Sequence, residues 1–228
     1  MKSKLLYKKV LFFFAHPDDE TLSAGATINK LRSEGVRVKI VIASKGLTSR
    51  GEHNNKKISE HIKNLTEACK VLGVTSKDLH IGDFEDNSFD SEPLIKLVKF
   101  LENILKNFKA DAIFTHHKFC TNIDHKYCHE AAVIASRPIN GSFIDLYSCE
   151  TISSSGYSKP SKYDPNFFYK VSKKNILAKQ NALKKFKFEL RKFPHMRSIE
   201  FIEIHAKYRG AHIGTNFAEA FIVNNLFI

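Results

Sequence analysis

No apolar run in the 228-residue sequence approaches the roughly 20 residues that a bilayer-spanning helix needs. Lys2, Lys4, Lys8 and Lys9 precede a short apolar stretch at 10–15, an arrangement like the start of a signal peptide. The stretch is too short for that role and runs into charge without a small-residue cleavage site. It is expected to be a first strand, and the protein is expected to be cytoplasmic. Cysteine is scarce, and Cys69, Cys120, Cys128 and Cys149 form no CxxC pair. That spacing argues against a disulfide framework and against a thiolate zinc site, so free thiols are expected. Acidic residues are outnumbered, 24 against 36 Lys and Arg, for a formal net charge of +12. Much of the surplus lies at Lys173, Lys174, Lys179, Lys184, Lys185 and Lys187, at helical spacing, and is expected to cover solvated helix faces. The lysine-rich segments lack interleaved, exposed-looking aromatics, a zinc knuckle or a helix-turn-helix signal, so no nucleic-acid partner is expected. A basic field still suits an anionic small substrate. No internal repeat or composition break divides the chain, and residues 1–228 are expected to form one domain.

What the sequence does contain is alternation. Residues 10–15 are continuously apolar, as in a strand buried on both faces. A helix is expected at 19–34, capped by Asp18 or Asp19 and stopped at Gly35. Strands follow at 37–43, 79–81, 112–115 and 146–149, and helices at 58–72, 94–108 and 125–136. Residues 44–55 and 151–165 read as loops, the second at the surface. Further helices are expected at 173–193 and 198–209 and a last strand at 220–223. The pattern predicts an α/β, Rossmann-like fold: a mostly parallel sheet with helices on both faces and a site at the carboxyl ends of the strands.

Two charged clusters fall at those ends. The first is His16-Pro17-Asp18-Asp19-Glu20, directly after the first strand. A tight turn can bring His16 and Asp19 onto one zinc ion, with Pro17 stiffening it and Asp18 facing the open position. Glu20 is expected to support the helix start or to contact a ligand from behind. A third ligand must come from elsewhere, and His116, His117, His125 and His129 compete for that role. Asp124 is expected to cap a helix, and a carboxylate can orient a ligating histidine through its second nitrogen.

The segment "AHPDDE" resembles the signature of the PIG-L/LmbE superfamily of zinc-dependent N-deacetylases, and "THHKFCTNIDH" resembles its second motif. "DNSFD", "PHMRS" and "YRGAHIGTNFAEAF" are similar to segments of a bacterial branch with sugar-linked roles. The resemblance implies that His16, Asp19 and His125 bind Zn2+, with iron, cobalt or manganese as other ions that such a site accepts. It implies that Asp18 is the general base. The implied reaction removes an N-acyl group, expected to be acetyl, from an amino-sugar derivative such as a sugar nucleotide or glycan precursor. Two positions depart from the pattern. Asn122 stands where thiol-pathway members have a histidine, and Cys120 stands where bacterial relatives often have an acid. Asparagine cannot act as a general acid, so His116, His117 or protonated Asp18 is expected to protonate the leaving amine. A metal-containing sugar-binding relative without turnover is the alternative. Arg50, Asp86 and Asn122 are candidate substrate contacts. His195, Arg197 and Arg209 are expected at the pocket mouth or at a homo-oligomer interface.

Overall fold

The computed structural model describes residues 7–47, 55–138, 143–157 and 163–227. In chain order the elements are β1 (Lys9–Phe14), α1 (Asp19–Ser33), β2 (Arg37–Ser44), α2 (Asn55–Val71), β3 (Leu79–Phe84), α3 (Leu94–Phe108) and β4 (Ala112–His116). They continue as α4 (Ile123–Ala135), β5 (Asp145–Cys149), β6 (Phe167–Lys170), α5 (Lys173–Leu183), α6 (Ile199–Ala211) and β7 (Ala218–Asn225). The strands form one sheet in the order β3-β2-β1-β4-β5-β7-β6. β1 to β5 pair in parallel. β7 runs antiparallel to β5, and β6 antiparallel to β7. This is the expected α/β architecture.

Side-chain alternation along β1 explains why both of its faces are apolar. Val10, Phe12 and Phe14 enter the core under α1, α2, α5 and α6. Leu11, Phe13 and Ala15 enter a second core under α3 and α4. Aromatic rings tie the central strands laterally: Phe114 stacks on Phe12 at 4.9 Å and on Tyr147 at 4.6 Å between centroids.

Four local expectations are corrected. The helix expected at 173–193 ends at Leu183. Beyond it the chain turns repeatedly, because Phe186 must reach the core while Glu189 turns toward the carboxyl ends of the strands. Lys179 is not on a solvated face; it is buried against Glu219, with Nζ 2.6 Å from Oε1. The stretch 151–165 is not simply surface, since Thr151, Ile152, Ser155 and Tyr163 are buried. β6, a short strand of only 4 residues, was not anticipated.

The Lys179–Glu219 pair underlies a break in α1. Ala24 leaves helical geometry (φ −144°, ψ 17°), which frees backbone donors in the following turn. Glu219 accepts from the N–H groups of Ala26 (3.3 Å) and Thr27 (2.6 Å). Gly25 leaves room for the lysine stem: a Cβ there would lie 3.0 Å from Lys179 Cγ.

Glu219→Ala is expected to lower unfolding free energy by about 3–5 kcal/mol, because it strands a buried ammonium. Combining Lys179→Met with Glu219→Gln should cost less, since the charge is gone and an acceptor for the α1 donors remains. Urea denaturation of both variants checks this; a double variant no more stable than the single would refute it.

Candidate active site and metal centre

The site begins at the turn after β1. Asp18 takes a left-handed conformation (φ 90°), which is unusual for a residue with a side chain. Its surroundings hold it there. The Asp18 N–H donates to Glu20 Oε2 (3.1 Å), and the Leu22 N–H donates to the Asp18 carbonyl (2.9 Å). Glu20 also accepts from the Thr21 hydroxyl at 2.6 Å, and burial pushes its carboxyl up to about 8. Glu20 thus braces the turn, as expected. Neither expected aspartate cap operates through its side chain. The Asp18 carboxylate turns away from the helix, and Asp19 Oδ2 accepts backward from the His16 N–H at 3.0 Å.

Asp19 Oδ2 is the centre of a histidine cluster. It lies 3.3 Å from His16 Nδ1, 3.3 Å from His125 Nε2 and 3.4 Å from His116 Nε2. One ligand atom each from His16, Asp19 and His125 lies within 4.8 Å of the others. β1 supplies the first pair through its turn. β4, its parallel neighbour, leads into α4, which supplies the third.

The remote nitrogens of both histidines are tied down. His16 Nε2 donates to the fully buried Asp124 carboxylate at 2.8 Å, with Asp86 Oδ1 also 3.2 Å away. His125 Nδ1 donates to Cys120 Sγ at 3.1 Å, and the Cys120 thiol contacts Ser154 Oγ at 3.1 Å. These bonds leave His16 Nδ1 and His125 Nε2 facing Asp19. Two imidazole nitrogens and a carboxylate oxygen, with oriented rings, suit zinc or a related divalent ion. The donor set therefore fits the metal that the sequence resemblance implies.

Charge around the cluster is strongly coupled. Burial opposes protonation of His16, yet its hydrogen bonds to Asp124 and Asp19 outweigh this and raise it to about 9. Burial also opposes protonation of His125, but the Asp19 charge and hydrogen bond, with Cys120, raise it to about 10. Asp19 is buried, which favours its neutral form, yet the His125 charge beside it holds it well below the usual carboxylate range. A cation taking the place of these protons releases them. Burial is the largest influence on Asp18 and raises it to about 7 against the pull of Arg197.

The cleft above the cluster has a volume of about 320 Å3. His16, Asp18, Asp86, Asn122 and His125 reach it, as do Glu189, Arg191, His195 and Arg197. His116 and His117, expected as candidate acids, do not line it. His116 is fully buried, accepts from the Ala15 N–H through Nε2 and donates from Nδ1 to Thr151 Oγ1, both at 3.0 Å. Its ring stacks on His125 at 3.7 Å, and burial followed by the His125 charge pushes it down to about 3. His117 packs edge-on against Tyr163 and Phe119 instead. Burial and then His129 push it down to about 4. His129 is no ligand in this cluster; its Nδ1 donates to the His116 carbonyl at 3.0 Å.

Asn122 caps α4: Oδ1 accepts from the N–H groups of Asp124 (2.8 Å) and His125 (3.4 Å). Asp124 is thereby released from capping and turns inward to His16. The Asn122 Nδ2 donates to Asn87 Oδ1 at 2.9 Å. Arg50 lies outside the described residues. Glu189 and Arg191 were missed in the sequence because they read as the end of a basic helix. An acid within that basic run was the only local signal.

Comparison with known proteins accords with this geometry. The chain is 31% identical over 116 residues to a probable N-acetyl-alpha-D-glucosaminyl L-malate deacetylase of Bacillus cereus, an alignment covering 48% of this chain and 52% of the relative. The chain spans about half the length of the first curated relatives it matches, 52% and 55%. Among solved structures, N,N'-diacetylchitobiose deacetylase from Pyrococcus horikoshii superposes with a TM-score of 0.75 at 20% identity, over 96% of this chain and 84% of the other. The 4-carboxy-2-hydroxymuconate hydratase GalB of Pseudomonas putida does so with a TM-score of 0.75 at 15% identity, over 97% and 98%. Both structures share the fold, so fold alone does not choose the chemistry. The family model described as PIG-L, GlcNAc-PI de-N-acetylase, matches residues 11–136, more than half of the sequence, and the chain belongs to that family.

Proposed function

We propose that this chain is a metal-dependent hydrolase that removes an N-acyl group, expected to be acetyl, from an amino-sugar derivative. One observation carries the reading: His16, Asp19 and His125 converge within 4.8 Å at the floor of a cleft that Asp18 also lines. Bound there, zinc would supply Lewis acidity toward an acyl oxygen and make a nearby water more acidic. Asp18 accepts the proton of the attacking water. With His116 and His117 outside the cleft, the proton that Asp18 gains is the one it returns to the departing amine. Asn122 acts through the α4 cap and the loop at Asn87 rather than as an acid.

The cleft volume of about 320 Å3 suits one sugar ring and its acyl group, with the remainder of the substrate outside. The net charge of +12 favours an anionic derivative, such as a sugar nucleotide or glycan precursor. No helix among the described residues is long and apolar enough to cross a membrane.

Zinc-loaded protein should release acetate and free amine from a member of a panel of N-acetylated amino sugars and their nucleotides. A chelator should abolish release, and added zinc should restore it. Asp18→Asn should lower kcat by about 100-fold or more while leaving bound metal unchanged. The reading is rejected by metal-loaded protein that releases no acetate from the whole panel and is indifferent to Asp18→Asn.

Asp124→Ala should weaken metal binding by about 10–100-fold, because it removes the group that orients His16. Competition with a chelating dye measures this. Unchanged affinity would mean that the ring is held by its packing instead.

A further inference from the structure

We propose that Arg197 is the positioning residue for Asp18, aiming the carboxylate into the cleft. This rests on the reading of Asp18 as the general base. Asp18 is 2% exposed, and burial of a carboxylate demands a partner. Among the described residues its carboxylate takes its one hydrogen bond from Arg197, Nη2 to Oδ1 at 3.4 Å; Nη1 lies 3.2 Å from Oδ2 as an ion pair, and Oδ2 itself accepts no hydrogen bond. A planar guanidinium fixes the direction of a carboxylate as well as its charge, which an ammonium cannot do.

Arg197 is itself held from several sides. Its Nη1 pairs with the buried Glu189 carboxylate, and its Nε donates to Ser153 Oγ at 3.3 Å. Its backbone N–H donates to His195 Nδ1 at 3.0 Å. The next residue, Ser198, caps α6 and anchors the segment to that helix. The guanidinium therefore enters the cleft as a preset fork, and Asp18 conforms to it. The backbone of Asp18 is fixed separately by Glu20, so the fork acts on the carboxylate alone. Arg197 lies beyond the segment 11–136 that matches the family model, so a late part of the chain governs the catalytic carboxylate.

Arg197→Ala and Arg197→Lys test this with the full chain loaded with zinc. Both should lower kcat by about 100-fold, the effect of misaiming a catalytic group, with KM and zinc content nearly unchanged. Guanidinium chloride at millimolar concentration should restore part of the activity of Arg197→Ala, and ammonium should not. In crystals of Arg197→Lys, the Asp18 carboxylate should leave its wild-type orientation. The proposal is overturned by wild-type kcat in both variants, by a rise in KM alone, or by an Asp18 that keeps its orientation in Arg197→Lys. If Arg197→Ala does not fold, Arg197→Lys alone carries the test. If wild-type protein releases no acetate, the hydrolase reading falls, and the Asp18 orientation still decides the role of Arg197.

Discussion

Asp124 accepts three hydrogen bonds from two parts of the chain that are far apart in sequence. They are the His16 ring after β1 and the backbone N–H groups of Asn87 (2.6 Å) and Phe89 (3.1 Å) in the segment between β3 and α3. Asp124 itself stands in the first turn of α4. One buried carboxylate thus joins three connections that emerge from the same edge of the sheet. Its charge is tolerable there because both of its oxygens accept from N–H donors. Hydrogen bonds to charged groups are worth about 1.5–3 kcal/mol each, so this node is among the more costly to disturb. The orientation of the His16 ring depends on it, and with that the direction in which a candidate metal ligand faces.

The same logic accounts for the crowding of titratable groups. Carboxylates and cations alternate through the site: Asp124, His16, Asp19, His125 on one side, and Asp18, Arg197, Glu189 on the other. Each chain ends on a buried residue of the scaffold or on a sulfur, as at Cys120. The two chains have different tasks. The first gathers donor atoms around one point. The second aims a carboxylate that the first does not use. They meet at the Asp18-Asp19 peptide, where the left-handed turn sends adjacent side chains in different directions.

Much of this was legible in the sequence, for a physical reason. A strand buried on both faces needs a continuous apolar run, so β1 was visible, and the charge right after it marked the ligand-binding end of the sheet. The convergence of His16 and Asp19 followed from their separation by one tight turn. Between His125 and its rivals, chemistry alone could not choose, and the family motif did so. The rest depended on contacts that no local pattern encodes. Lys179 has the spacing of a solvated lysine and is buried because Glu219, 40 residues later, waits beneath it. His116 and His117 stand at the end of β4, as the site rule requires. Strand alternation directs them to opposite faces, and neighbours occupy both rings before the cleft begins. Arg197 and Asp18 are 179 residues apart, and only the folded sheet brings them together.

The division between the two parts of the chain is itself informative. The segment 11–136 contains the three candidate metal ligands and the buried groups that orient His16 and His125, apart from Ser154 behind Cys120. It does not enclose the cleft. Ser153, from the segment after β5, and Glu189, Arg191, His195 and Arg197, from the turns between α5 and α6, complete the wall. A metal centre tolerates little variation, because ligand identity and distance are set by the ion. A wall built from turns tolerates much more, since exchanging its side chains leaves the sheet and the ligands in place. Arg197 is the exception within that wall. Its fork on Asp18 couples the later-built wall of the cleft to the floor, so an exchange of wall side chains that keeps this contact leaves the direction of the Asp18 carboxylate in place.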